Sequence, residues 1–106
     1  MFDNNFNKIL EKADYIYGCH KKKKGNLWRE LPIDSHADGI REEYEEWYEE
    51  YRKTLKALRN NDKTQAREFE ENQYYELIDL MNRCMMYAEV IRLRMEVREK
   101  NDILPK

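Results

Sequence analysis

Apolar residues recur at three- and four-residue steps through most of this chain, the spacing of one face of an α-helix. Phe6, Ile9, Leu10, Ala13, Ile16 and Tyr17 follow Asp3-Asn4-Asn5, which can cap a helix start, and Gly18 supplies a stop. Residues 1–18 are therefore expected to form an N-terminal helix. The periodicity then lapses. Lys21 to Lys24, Gly25-Asn26 and Leu31-Pro32 are poor material for a continuing helix, so residues 19–35 read as a basic loop that contains Trp28.

The pattern resumes near Asp34-Ser35, where Ser35 with Asp38 approximates a capping box, and residues 36–60 are expected as a second helix. Its apolar stripe is Ile40, Tyr44, Trp47, Tyr48, Tyr51, Leu55 and Leu58, read as the core-facing side. Asn60-Asn61-Asp62 ends it, and Asp62 with Gln65 can cap the next helix. No Gly or Pro interrupts residues 62–100, which form one long helix or two broken between Glu70 and Gln73. Past Glu76 this segment is apolar on two sides. Leu77, Met81, Cys84, Ala88, Ile91 and Met95 share one side, and Met86, Val90, Leu93 and Val97 the other. The expectation is that the chain's own helices cover the first side and another copy covers the second, giving a homodimer or homotetramer.

Composition narrows the fold class. Of 106 residues 40% are charged, with only three Gly and two Pro, which favours long solvated helices over sandwiches, barrels or Gly-rich α/β loops. The reading is an all-α fold in one domain, an antiparallel helical bundle of about four helices. A net charge of −2 gives no global basic field for nucleic acid. No segment approaches the roughly 20 apolar residues needed to span a bilayer, and no secretory signal is recognisable, so a cytoplasmic protein with no membrane partner is expected. Cys19 and Cys84 sit in different kinds of segment and read as free thiols.

Candidate chemistry lies in the acidic residues. On a helical wheel Glu43, Glu46 and Glu50 cluster within about 60° on one flank of the second helix, where like charges repel. A hard divalent cation such as Mg²⁺ would offset that repulsion; the alternative is a solvated acidic face. Glu76 and Asp79 form a second pair at the margin of the most apolar helix, and they call for a cation or for a basic partner such as Arg83. Cys19-His20 and His36 lack zinc-site spacing, and phosphate-loop, serine-hydrolase and dinucleotide motifs are missing from the sequence.

Glu43-Tyr44-Glu45-Glu46 followed by Glu76-Leu77-Ile78-Asp79 resembles the ExxE…ExxD signature of the MazG-like all-α nucleotide pyrophosphohydrolases, a group that includes dimeric dUTPases and HisE-type enzymes. The resemblance spans roughly Trp28 to Arg94, with Glu42-Glu45 as an alternative register. It implies a MazG-like fold, oligomeric sites, and Glu43, Glu46, Glu76 and Asp79 as both Mg²⁺ ligands and catalytic groups. The implied reaction converts a nucleoside triphosphate to monophosphate and pyrophosphate through metal-activated water. Candidate substrate-binding residues are Lys21 and Lys24 for the phosphates, against a merely solvated loop; Trp28 toward the base, against simple anchoring of the loop onto the core, which is the favoured reading; Asn82 toward the base or the metal shell; and Arg83. The competing class is a non-catalytic all-α oligomer that uses the same scaffold to bind a protein or a nucleotide.

Overall fold

The computed structural model describes residues 4–24 and 27–103, with the side chains of residues 5–19, 21 and 27–101. Three α-helices carry the chain: α1 (Asn7–Lys24), α2 (Ile33–Arg59) and α3 (Lys63–Ile103), with 3₁₀ turns at Asn4–Phe6 and Leu27–Glu30. The all-α expectation holds. Among the described residues the α-helices number three rather than about four, because α3 runs 41 residues without a break. Good helix formers fill it, and Arg92 pairs with both Glu89 and Glu96 on its far half.

Two boundaries differ from the sequence reading. Residues 19–24 are helical, not loop: α1 passes through Gly18 and continues into the lysine run. A glycine ends a helix only where the chain drops into a left-handed turn; in a helical backbone it costs about 1 kcal/mol relative to Ala, which its neighbours outweigh. The second helix starts at Ile33 rather than at residue 36, with Pro32 as its N-cap and no side-chain cap from Ser35. The Pro32 carbonyl accepts from the amides of Ser35 and His36 at 3.0 and 3.4 Å, and proline supplies the extended cap backbone.

The turn between α2 and α3 follows the sequence reading closely. Asn61 takes a left-handed conformation with φ of 56°. The amides of Asn61 and Asp62 bond back to Leu58 and Ala57 at 3.1 and 2.9 Å, which satisfies the last carbonyls of α2. Asp62 then caps α3, its Oδ1 accepting from the Gln65 amide at 3.1 Å.

That turn folds α2 and α3 into an antiparallel hairpin, and the face α2 buries is not its apolar stripe. His36, Gly39, Thr54 and Ala57 are buried, and Glu43 and Glu50 are half-buried beside them. This side lies about a quarter turn from the Tyr44–Tyr48–Tyr51 stripe. Small residues allow close approach, with Ala57 and Ala66 4% and 3% exposed. Hydrogen bonds fill the rest: Gln73 Nε2 donates to Thr54 Oγ1 at 2.8 Å, and Trp47 Nε1 donates to Gln73 Oε1 at 3.2 Å. His36 stacks on Tyr87 at 5.7 Å.

A different face of α3 receives α1, centred on buried Ala13 and on Ile78, which is 2% exposed. The Leu27–Glu30 turn also reaches α3. Val90 is only 5% exposed, at a groove it shares with Leu31, Pro32, Leu93 and Val97. Neither apolar side of α3 is uniformly covered: Val90 is buried within its own chain and Met81, Met86 and Ile91 are half-buried, while Leu77, Cys84, Ala88 and Met95 on one side and Leu93 and Val97 on the other are exposed. Among the described residues no helix is long and apolar enough to cross a membrane.

Candidate metal centre

Helical spacing alone puts Glu43 and Glu46 one turn apart on α2; the hairpin register then decides which groups face them. His36 meets Tyr87, Glu50 meets Asn72, and Glu43 therefore falls level with the segment from Glu76 to Arg83. One carboxylate oxygen from each of Glu43, Glu46 and Glu76 lies within 4.8 Å of the others. Glu43 and Glu76 are half-buried, while Glu46 stays open to water. Glu42 and Glu45 of the alternative register are exposed, with Glu45 near Arg41 at 4.0 Å.

The cluster is electrostatically costly as it stands. Burial first, then the charges of Glu46 and Asp79 and a hydrogen bond with Glu46, push the Glu43 carboxyl up to about 7, against a smaller opposing pull from Arg83. Burial, the charge and hydrogen bond of Glu46, and the charges of Asp79 and Glu50 push Glu76 up to about 7 as well. Carboxylates this close hydrogen-bond only when one of them holds a proton. With all ionised, Glu43 Oε2 and Glu76 Oε2 are buried oxygens without a donor. Two orphaned acceptors beside a third carboxylate are oxygen ligands of the kind that could hold a hard divalent cation such as Mg²⁺.

Asp79 stands near enough for its charge to act on both glutamates, and with Glu43 it lines a cavity of about 490 Å³. Tyr17, Lys21, Trp28, Asn82, Arg83 and Met86 line the same cavity. Four of the five candidate substrate-binding residues are thus brought to one space next to the carboxylates; the Lys24 side chain lies outside the described residues. Asn82 is held by donating Nδ2 to the Ala13 carbonyl at 3.1 Å. Trp28 donates Nε1 to the Tyr17 hydroxyl at 3.2 Å and carries Arg29 over its ring at 5.1 Å. Arg83 approaches Glu43 across the hairpin, Nε to Oε1 at 3.9 Å, and lies over Gly39, where an added Cβ would sit 3.4 Å from its guanidinium.

Sequence reasoning missed Tyr17 and Met86 as cavity walls. Tyr17 was visible as the last residue of an apolar stripe, but the position of α1 on α3 has no signature in periodicity. Glu50, whose side chain is 17% exposed, was singled out only as part of the α2 flank; it is held by Lys53 at 3.3 Å and by Asn72 at 3.3 Å. On the outer side of the cluster, Glu42, Glu45, Glu46, Glu49, Glu50 and Glu76 line an acidic groove of about 400 Å³.

No protein-family model, no curated protein and no solved structure matches this chain.

Proposed function

We propose that the chain is a Mg²⁺-dependent nucleoside triphosphate pyrophosphohydrolase, MazG-like in kind, releasing monophosphate and pyrophosphate. The observation that carries this reading is the convergence of Glu43, Glu46 and Glu76 oxygens within 4.8 Å, two with buried acceptors lacking donors, on the edge of a nucleotide-sized cavity. Glu43, Glu46 and Glu76 would hold the ion, with Asp79 beside them. When bound, Mg²⁺ would neutralise triphosphate charge and lower the pKa of a coordinated water.

The chain's own groups supply the rest. Lys21 and Arg83 place positive charge on the cavity wall, where phosphate oxygens need it. Trp28 and Tyr17 present aromatic surface for the base, and Asn82, with Nδ2 committed to Ala13, has its Oδ1 to accept from a base N–H. Asp79, on the cavity side of the cluster, is the carboxylate placed to accept the proton of an attacking water.

The test is pyrophosphate release from a panel of ribo- and deoxynucleoside triphosphates with and without Mg²⁺. In ¹⁸O-labelled water, attack at the α-phosphorus puts label in the monophosphate alone. Label in pyrophosphate moves attack to the β-phosphorus, and release of orthophosphate indicates a γ-phosphatase. Failure to turn over any nucleotide hands the site to the second reading, a non-catalytic binding protein. That reading draws support from the Glu43–Arg83 pair, which supplies an internal cation to the cluster.

A further inference from the structure

The turn at Leu27–Glu30 and the far half of α3 border a groove of about 550 Å³ that shares only Leu31 with the cavity beside the carboxylates. Its floor is apolar and stepped at helical spacing. Val90, Leu93 and Val97 stand at i, i+3 and i+7, a stripe about 10 Å long. Val90 is 5% exposed at the bottom, whereas Leu93 and Val97 are open to solvent. Leu31 and Pro32 supply the other wall.

The rim is basic on a chain whose net charge is −2. Arg29, Arg94 and Arg98 line it against the single acid Glu30. Arg94 and Arg98 lie one turn apart, where like charges repel. The residues one turn either way from Arg94 are Val90, Ile91, Val97 and Arg98, so its own helix offers it no acid. Glu89 and Glu96 both pair with Arg92. Arg98 has Asp102 one turn on, whose side chain lies outside the described residues, and a cation placed before an acid is the weaker order of such a pair.

Apolar floor and cationic rim together specify the chemistry of an occupant: apolar residues one turn apart, with carboxylates on their flanks. Other occupants fit less well. A second copy meeting this groove about a two-fold axis would set one arginine rim against another. A flat bilayer would touch the rim and leave the Val90 floor uncovered. Among the described residues the lining holds no aromatic ring on which the bases of a single-stranded nucleic acid could stack.

We infer that the groove docks an acidic amphipathic helix of another protein. Two or three of its apolar side chains enter between the Leu31-Pro32 wall and the stripe from Val90 to Val97, and carboxylates beside them pair with Arg94 and Arg98, whose guanidinium groups offer paired N–H donors. The inference does not rest on the proposed reaction, since no carboxylate of the cluster lines the groove.

Fluorescence anisotropy tests this on the full chain with a fluorescein-labelled synthetic helix that carries a leucine stripe at helical spacing and glutamates on both flanks. Saturable binding that weakens as salt rises is expected. The same helix with lysines for glutamates, or with serines for leucines, should bind at least about tenfold more weakly. Arg94→Glu with Arg98→Glu should weaken the acidic helix by at least about tenfold and strengthen the lysine helix, a swap that a purely structural role of the arginines would not produce. Leu93→Ser with Val97→Ser should weaken the acidic helix to a similar degree. All four side chains are exposed, so helical circular dichroism should stay unchanged. Should either variant fail to fold, the three peptides on the wild-type chain decide. Absence of saturable binding, equal binding of either altered helix, or affinity untouched by either variant overturns the inference. Displacement of the acidic helix by a single-stranded oligonucleotide or by phosphatidylserine vesicles would assign the rim to a polyanion or a lipid surface and overturn it equally. So would a wild-type dimer, seen by light scattering, that Leu93→Ser with Val97→Ser breaks, because the floor would then belong to a second copy.

Discussion

The two sides of the α2–α3 hairpin are made from the same two helices and are opposite in kind. One side gathers Glu43, Glu46, Glu76 and Asp79 against a cavity, with two carboxyl groups pushed toward neutrality by burial and by each other. The other leaves tyrosines, leucines and methionines open to water. Burial preferences taken alone favour the reverse, rings inward and carboxylates outward. The seam between the helices decides the matter. Ala57 and Ala66 permit close approach, Gly39 leaves room for the Arg83 side chain, and Gln73 ties Thr54 to Trp47, so the small polar side of α2 faces α3 and the aromatic side is carried round to solvent. Each side is then left with a cost: crowded carboxylates with buried oxygens lacking a donor on one, uncovered apolar area on the other.

The contrast between the two sides breaks most visibly if one is altered and the other responds. Glu76→Gln, Glu46→Gln or Asp79→Asn is expected to lower Mg²⁺-dependent turnover by about 10²–10³-fold, the scale of losing one preorganised electrostatic group. None of them lowers the melting temperature in EDTA, since each relieves repulsion among crowded carboxylates. Conversely Tyr48→Lys with Leu77→Lys, on the opposite side of the hairpin, should keep turnover within a few-fold of wild type, since both side chains are exposed away from the carboxylates. Activity assays and thermal melts on the same preparations check both halves. A carboxylate variant that melts well below wild type in EDTA would make the cluster structural, a role that Arg83 could anchor.

A smaller effect comes from the raised carboxyls. Glu43 and Glu76 move from an ordinary 4.5 to about 7 in the folded chain, so between those values the folded state holds protons that the unfolded state has released. Their contribution to stability is full below about 4.5 and is lost as pH rises through about 7. Metal-free protein should therefore melt several degrees lower at pH 8 than at pH 5.5, and Glu43→Gln with Glu76→Gln should flatten that slope. Mg²⁺ competes with those protons for the same oxygens, so it should raise the melting temperature more at pH 8 than at pH 5.5. A slope unchanged in the double variant would place the pH dependence elsewhere.

Part of this architecture is readable from the sequence alone. The turn at Asn60-Asn61-Asp62 is legible because its chemistry is local, a left-handed Asn followed by an Asp cap. The pairing of Glu43 with Glu46, and of Glu76 with Asp79, is legible because helical spacing alone puts each pair on one flank. Which flank faces the partner helix is not, because periodicity gives the stripe and leaves its orientation to packing. The stripe from Ile40 to Leu58 read as core is a quarter turn off, since Ala57 outcompetes rings for the close seam. The start of α2 is missed by one turn because the cap is a proline backbone carbonyl, which leaves a weaker mark than Ser35. The cavity depends on where α1 lies on α3, a wholly tertiary fact.

The smallest expected effect tests whether the carboxylate side of the seam is filled. Gly18 and Gly39 both lie within helices, so Ala at either position gains up to about 1 kcal/mol in helix propensity. Gly18 has nothing within 4 Å of an added Cβ, and Gly18→Ala should realise most of that gain. At Gly39 the added methyl meets the Arg83 guanidinium at 3.4 Å and its Cδ at 3.7 Å, so part of the gain goes into shifting Arg83 relative to Glu43. Gly39→Ala should stabilise less than Gly18→Ala in urea titrations. Because Arg83 is the one group opposing the upward shift at Glu43, Gly39→Ala should also steepen the fall in stability between pH 5.5 and 8, which Gly18→Ala should not. Equal gains with unchanged pH slopes would mean that Arg83 moves freely at the seam, and the Glu43–Arg83 pair would then contribute nothing to how the carboxylate side is held.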